Sequence, residues 1–381
     1  MTRDSKSVGA DYSRRKFIVA SGAAGLAGLA GCSGSSNEGT EASGGAEDTA
    51  TEASGDSSDT ATESSGSSKE DVGPLTADGS STVYPITSDG AAVWNSNPPA
   101  DDEEYWGPGQ YDIDTDANMA DYWGGLYGFS SSEEGQPPFL VNVGLSHSGT
   151  GVEKVMNGQV DIGDSSAPVA DELPDADQST LDKFVNHVVG VDGQPIVVSQ
   201  EIADAGVEEL TGDELRAIYK QEITNWSEVG GPDREIQAVG RAEGSGTDTA
   251  FRANLYGDPE AEISPDIRKG QNQQVATLVR NSDNAIAYMA LAFVGDGVVP
   301  ISLTLDGTTY TPGKNLSDKG YPLSRDLHCY TWEGTSEQEA AFLRMLISDY
   351  GQTMFVEPNN YFVLSDTRQE EERAKLPEPS N

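Results

Sequence analysis

The sequence predicts an α/β protein of two lobes, and three observations carry that prediction. Short runs of β-branched and aliphatic residues alternate with segments of helical periodicity along the roughly 300 residues from Pro74 onward, a length too great for one small core. Three Ser/Gly/Thr clusters each follow a predicted strand and precede a predicted helix: Asp78-Gly79-Ser80-Ser81-Thr82, Ser146-His147-Ser148-Gly149-Thr150-Gly151 and Arg241-Ala242-Glu243-Gly244-Ser245-Gly246-Thr247. Two strand-like runs, 184–191 and 196–198, with Gly190 and Gly193 where they meet, mark a crossing from one lobe to the other.

Leu75-Thr76-Ala77 reads as the first strand, with a helix starting near Ser81 or Thr82. Residues 139–144 read as the second strand, 151–157 as the start of the next helix, and 160–163 as a short buried strand. This order is that of an α/β lobe whose loops gather at the carboxyl ends of its strands. Residues 184–191 and 196–198 flank the crossing. The second lobe opens with Thr211-Gly212-Asp213-Glu214, a capping box ahead of Leu215, Ile218 and Tyr219. Residues 236–239 form a strand, followed by the third cluster and a helix with Thr249, Phe251, Leu255 and Tyr256 near one face; 285–288 and 298–301 add strands. Residues 323–331 return the chain to the first lobe, closed by an amphipathic helix over 336–350. The first lobe is therefore expected to comprise 74–191 and 326–381, and the second 192–325. Residues 95–138 exceed an ordinary connection and carry Trp106, Tyr111, Tyr122, Trp123, Tyr127 and Phe129. They read as an insertion covering the lobe's own surface, with a sugar or partner contact as the alternative.

Residues 1–32 read as an export signal and are set aside from the fold. Ser13-Arg14-Arg15-Lys16-Phe17 resembles a twin-arginine signal, and the run 18–30 is too short and too rich in Gly and Ala for a membrane span. Leu29-Ala30-Gly31-Cys32 resembles a lipobox, which makes Cys32 the lipidated residue and places the protein on the extracellular face of the cell membrane. Residues 33–73, almost wholly Ser, Gly, Thr, Ala, Glu and Asp, read as a solvated tether with an r.m.s. reach of roughly 30–40 Å.

The net charge of −41 excludes a nucleic-acid partner and opposes compaction in dilute buffer. In molar salt the Debye length falls to about 3 Å, so the composition points to a halophilic setting, where an anion approaches if close-range donors bind it. With Cys32 taken by lipid, Cys329 has no partner; strand alternation around it reads as a buried, inert thiol. The three scattered histidines have no metal-site spacing, so no metal or cofactor is expected. His147 reads as a solvent-facing loop residue; His187 and His328 read as packed or edge residues of strands.

Glycines let backbone N–H groups turn toward a ligand, and hydroxyls add donors, so three converging clusters make an oxyanion cradle. Each alone is also an ordinary helix cap. Arg241 is the only cation among the three, a planar fork suited to an oxyanion, with Glu243 placed to accept its remaining donors. Asp78-Gly79-Ser80-Ser81-Thr82-Val83, Ser148-Gly149-Thr150-Gly151-Val152, Val160-Asp161-Ile162-Gly163-Asp164-Ser165-Ser166-Ala167-Pro168 and Arg241-Ala242-Glu243-Gly244-Ser245-Gly246-Thr247 resemble the binding loops of phosphate-binding proteins of ABC transporters. The resemblance spans most of 75–365. It implies a two-lobed type II periplasmic-binding-protein fold closing on inorganic phosphate in the interlobe cleft, with the permease and ATPase subunits of a transporter as partners and a monomeric receptor with no catalytic residues. Its ligand residues map onto Ser81, Thr82, Val83, Ser148, Ser165, Ser166, Arg241, Ser245, Gly246 and Thr247. Many members have an aspartate where Ser166 stands, which leaves Asp164 or Glu243 to accept the proton of phosphate. Another tetrahedral oxyanion, such as sulfate or molybdate, remains an alternative ligand. A surface phosphatase and a purely structural surface protein are the other readings.

Overall fold

The computed structural model describes residues 72–316 and 320–380. The expected signal, Cys32 and nearly all of the tether lie outside the described residues. The strands among the described residues are β1 (Leu75–Gly79), β2 (Val141–Val143), β3 (Ile162–Ser165), β4 (Phe184–Gly193), β5 (Ile196–Ser199), β6 (Glu209–Thr211), β7 (Gln237–Arg241), β8 (Ile267–Lys269), β9 (Ala285–Tyr288), β10 (Val298–Leu305), β11 (Thr308–Tyr310) and β12 (Ser324–Trp332). They form two sheets. The first runs β2-β1-β3-β12-β4, and the second β11-β10-β5-β9-β7-β8 with β6 paired to β10.

β1 pairs in parallel with β2 and β3, as strand–helix–strand connections require, and β12 runs antiparallel to β3 and β4. The chain leaves the first sheet after Gly193, enters the second at Ile196 and comes back into β12 at Ser324. β4 and β12 are thus the two strands that carry the chain between lobes. Their register sets Ser324 opposite Gly193 and Arg325 opposite Asp192 at the ends nearest the crossing.

Each sheet buries its own apolar residues. In the first lobe Leu75 and Ala77 point inward on alternate positions of β1 and pack with Ile86, Trp94, Phe342, Leu346 and Tyr350. The second sheet is covered on both faces, by Leu215, Ile218, Trp226 and Phe251 on one side and by Val275, Ala276 and Val279 on the other. The insertion is part of the first core. Trp106, Trp123, Tyr127 and Phe129 are buried, and the Trp106 ring meets Tyr350 edge-on at 5.0 Å. Leu140 and Val363 are large apolar side chains that remain half exposed. No helix among the described residues is long and apolar enough to cross a membrane.

Local chemistry sets several boundaries. The capping box expected at Thr211 is present: its hydroxyl accepts from the Glu214 N–H and the Glu214 carboxylate accepts from the Thr211 N–H, starting the helix Gly212–Tyr219. A second box at Ser336 and Glu339 starts Glu337–Ile347, which stops three residues short of the expected end because Ser348 caps a new turn. The first helix begins at Tyr84 rather than Ser81, with Pro85 in its first turn. The second begins at Ser148, three residues before its expected start. β6, β8, β11 and the helix Asn272–Arg280 are elements beyond those expected from sequence; the three strands have three residues each, too short for a period to show, whereas the helix does carry Val275, Ala276 and Val279 at helical spacing. Cys329 is fully buried in β12 and donates to Asp164 at 3.3 Å, with burial pushing its thiol well up.

Candidate functional site

Three loops and the two crossing strands meet between the lobes. The Ser80–Val83 turn leaves β1 and enters the helix Tyr84–Ser96; His147 and Ser148 open the helix Ser148–Met156; Ser245 and Gly246 open the helix Gly246–Tyr256. Ser81, Thr82, Ser148, Ser166, Ser245 and Thr247 are all buried. Their hydroxyls bond both across the cleft and within the first lobe. Thr82 Oγ1 lies 3.0 Å from Thr247 Oγ1, linking the lobes directly. Ser148 Oγ accepts from the Ser166 N–H at 3.1 Å, and the Ser80 hydroxyl donates to Ser166 Oγ at 3.0 Å. The Gly149 N–H donates to the Gly244 carbonyl of the other lobe at 3.2 Å. Ser245 Oγ is a buried hydroxyl with no protein partner.

Arg241, at the end of β7, is 1% exposed. Its Nη1 donates to Asn272 Oδ1 at 2.7 Å; its Nη2 donates to the Gly270 carbonyl at 2.8 Å and to Ser81 Oγ at 3.1 Å; its Nε donates to the Lys269 carbonyl at 3.3 Å. Every one of these partners is neutral. Burial, and then the charge of Arg325, push the Arg241 guanidinium down to about 9, so it stays charged at neutral pH without a carboxylate against it. Buried charges in stable proteins are as a rule paired or hydrogen-bonded, and Arg241 is hydrogen-bonded only to neutral groups.

The structure corrects four expectations. Ser165 turns into its own loop, donating to the Ala167 carbonyl at 2.7 Å rather than facing the cleft. Asp164 lies behind the loop, accepting from Thr87 Oγ1 at 2.8 Å and from Cys329, with burial raising its carboxyl to about 7. Glu243 is exposed and does not hold Arg241, whose donors go to Asn272, Ser81 and two carbonyls. His147 is half buried against Gly270 of the second lobe, and burial, then Arg241, hold its imidazole below the usual value. Val83 is packed in the first core, so what it offers the cleft is backbone. Among the described residues no group of His, Cys, Asp and Glu is arranged to hold a metal ion.

Four residues of the site had no mark in the sequence. Asn272 Nδ2 donates to Ser81 Oγ at 3.2 Å and Thr82 Oγ1 at 3.0 Å, and Gln194 Nε2 donates to the Thr247 carbonyl at 2.7 Å. Arg325 and Asp192 form a buried ion pair at 2.7 Å, beside Thr82 and Thr247.

Glu172 adds a carboxyl at the edge of the interface, its Oε2 near the Gly149 Cα and its Oε1 buried without a partner. Burial raises it to about 8 against a hydrogen bond from Thr249 of the second lobe, with Asp171 raising it further and Arg325 and Arg252 pulling it down. Such a group holds its proton more tightly when folded. Its contribution is full below the unfolded value of 4.5 and is lost as pH rises through about 8. Glu172→Gln is therefore expected to flatten the fall in melting temperature between about pH 5 and pH 9; a slope equal to that of the unsubstituted protein contradicts this.

Residues 128–350 match the model of a PBP superfamily domain. Over 235 residues the chain is 32% identical to the phosphate-binding protein PstS of Bacillus subtilis, covering 62% of this chain and 75% of that protein. The chain belongs to this family of binding proteins. The PstS of Staphylococcus saprophyticus is 27% identical over 252 residues, again with 62% and 75% covered. Among solved structures, the fold is similar to a putative phosphate ABC transporter substrate-binding protein of Clostridium perfringens with bound phosphate (TM-score 0.57, 21% identity, 77% of this chain and 100% of that one). It is also similar to an ABC-type phosphate transport receptor of Vibrio cholerae (TM-score 0.52, 23% identity, 76% and 100% covered). The architecture is that of a type II periplasmic binding protein, two α/β lobes joined by paired strands. The cluster around Arg241 lies between these two lobes.

Proposed function

We propose that this protein captures inorganic phosphate between its lobes and delivers it to the permease of an ABC transporter. The observation that carries the reading is Arg241, a buried guanidinium whose hydrogen-bond partners are all neutral, surrounded by hydroxyls and helix N-termini from both lobes. A tetrahedral anion touching Ser81, Thr82 and Ser148 on one side and Arg241 and Ser245 to Thr247 on the other stabilises the closed arrangement by its contacts to both lobes. The named relatives support phosphate as that anion.

Selectivity rests on the acceptor. Ser166 stands where a carboxylate would reject sulfate, and neither Asp164 nor Glu243 replaces it in the cleft. The acceptors left are hydroxyls and carbonyl groups, which take the proton of monohydrogen phosphate without repelling sulfate. A neutral hydrogen bond contributes about 1 kcal/mol, so sulfate is expected to bind only about fivefold more weakly than phosphate. Calorimetric titration in molar salt with phosphate, sulfate and molybdate tests this. Equal affinity for sulfate overturns the assignment to phosphate, and turnover of a chromogenic phosphate ester overturns the transport reading.

The twin-arginine motif, the apolar run and Cys32 in that order support export and lipid anchoring on the outer face. Cys32→Ser is expected to release the protein from the membrane fraction into the medium; full retention contradicts the anchor.

A further inference from the structure

We propose that Arg325 is a second anion-holding guanidinium of this site, fixed at the hinge by Asp192. The proposal rests on the phosphate reading only for the identity of the anion. Arg325 is the second residue of β12 and Asp192 lies opposite it in β4, at the end of the ladder where both strands leave for the other lobe. The pair is almost wholly buried. Groups on a hinge axis move least when two lobes rotate, so this charge stands in the same place whether the cleft is open or closed, and the loops come to it.

The hydrogen bonds divide the guanidinium into two ends. Nε and Nη2 both donate to Asp192 Oδ2, at 3.0 and 2.7 Å, while Asp192 Oδ1 accepts from the Leu291 N–H at 2.9 Å. The remaining donors face the anion loops: Nη1 reaches the Gly246 carbonyl at 3.1 Å and Ser166 Oγ at 3.4 Å, and Nη2 reaches Thr247 Oγ1 at 3.2 Å and Thr82 Oγ1 at 3.3 Å. The donors not taken by Asp192 go to residues of both lobes that line the cleft, Ser166 and Thr82 from one and Gly246 and Thr247 from the other. Threonine hydroxyls accept from Arg325 and donate onward, so they relay its charge to an oxyanion seated between them.

Asp192 takes Nε and part of Nη2, while Nη1 and the rest of Nη2 turn to Gly246, Ser166 and Thr247. Arg241 is buried at the same cleft with only neutral hydrogen-bond partners, so an anion held by these loops meets two guanidinium groups, one of them already paired. The same placement accounts for Ser166: a carboxylate there would bind Arg325 directly and remove its donors from the ligand.

The test is calorimetric titration of the full chain and of Arg325→Gln, Arg325→Lys and the double variant Arg325→Gln/Asp192→Asn, with melting temperature alongside. Arg325→Gln is expected to weaken phosphate binding about 100-fold, and Arg325→Lys to recover part of the loss, since lysine keeps the charge without the fork. Asp192 is left unpaired in Arg325→Gln, so stability falls there; the double variant removes both charges, restores the melting temperature and stays weak in binding. A double variant that binds within about threefold of the unsubstituted protein shows that Arg325 only braces the hinge and overturns the proposal. If the unsubstituted protein binds sulfate or molybdate but not phosphate, the phosphate reading fails and the same variants titrated with that anion decide Arg325. If none of the three anions binds, both are overturned.

Discussion

Replacing Arg241 by glutamine is expected to abolish phosphate binding while leaving the ligand-free protein folded. Truncating one partner of a buried, hydrogen-bonded charge pair costs about 2–5 kcal/mol, which weakens affinity between roughly 30-fold and several thousandfold. The upper part of that range applies because Arg241 is fully enclosed and hydrogen-bonded only to neutral groups, with Asp248 acting on it from beyond contact. In the empty protein the same residue is a burden. A guanidinium whose pKa falls from 12.5 to about 9 on folding is less favourable in its charged form there, and that penalty is fully present at neutral pH. Glutamine removes the penalty along with the hydrogen bonds to Asn272 and the carbonyl groups. The ligand-free melting temperature is expected to stay within about 4 °C of the unsubstituted protein. Calorimetry and thermal unfolding in parallel check this; retained tight binding, or unfolding before ligand is added, contradicts it.

Gly246→Val is expected to hold the lobes apart. A Cβ built on Gly246 falls on Ser148 Oγ and within 2.8 Å of Ser148 Cβ and Ser166 Oγ, both on the facing lobe. Gly246 begins the helix Gly246–Tyr256 and its φ is not positive, so the substitution strains neither its own backbone nor its own lobe. The overlap is relieved by opening. Overpacking of this kind costs about 3 kcal/mol, and the expected loss is about 100-fold in phosphate affinity. Small-angle scattering reads the mechanism: the unsubstituted protein compacts when phosphate is added, and the variant does not. Unchanged affinity would show that the two loops do not close to the spacing seen here.

These two residues differ in how far they are legible in sequence. Gly246 sits in a Gly-Ser-Gly-Thr run at a helix start, where local chemistry announces donors, and the loop falls in the cleft. Arg241 is visible as the cation of that run, but its partners are not. Glu243 is two residues away and exposed, whereas Asn272 is 31 residues away and bonded to it. Sequence proximity favours the wrong one because the strand ends at Arg241 and the chain turns through Gly244, which has φ 73°, so the alternation that would keep Arg241 and Glu243 on one face no longer holds. Ser165 illustrates the same limit within three residues. It satisfies its hydroxyl on its own turn, and only Ser166 reaches Ser148.

The insertion 95–138 was legible as an anomaly of length and composition, and its aromatic residues reveal their place only through Tyr350 and Phe342, more than two hundred residues later. Arg325 and Asp192 carried no sign at all. They stand 133 residues apart and meet because β4 and β12 pair in antiparallel register.

What the amino-acid order by itself determined is local: the helix starts at Thr211 and Ser336, the burial of Cys329 in its strand, and three donor-rich loops at strand ends. Each follows from side chains acting on backbone groups a few positions away, through caps and alternating burial. What only the tertiary structure decided is the pairing across the cleft, including which carboxylates face it and which guanidinium stands at the hinge. Those contacts join residues distant in the chain, and their register is set by two sheets packing their cores, which no local pattern encodes.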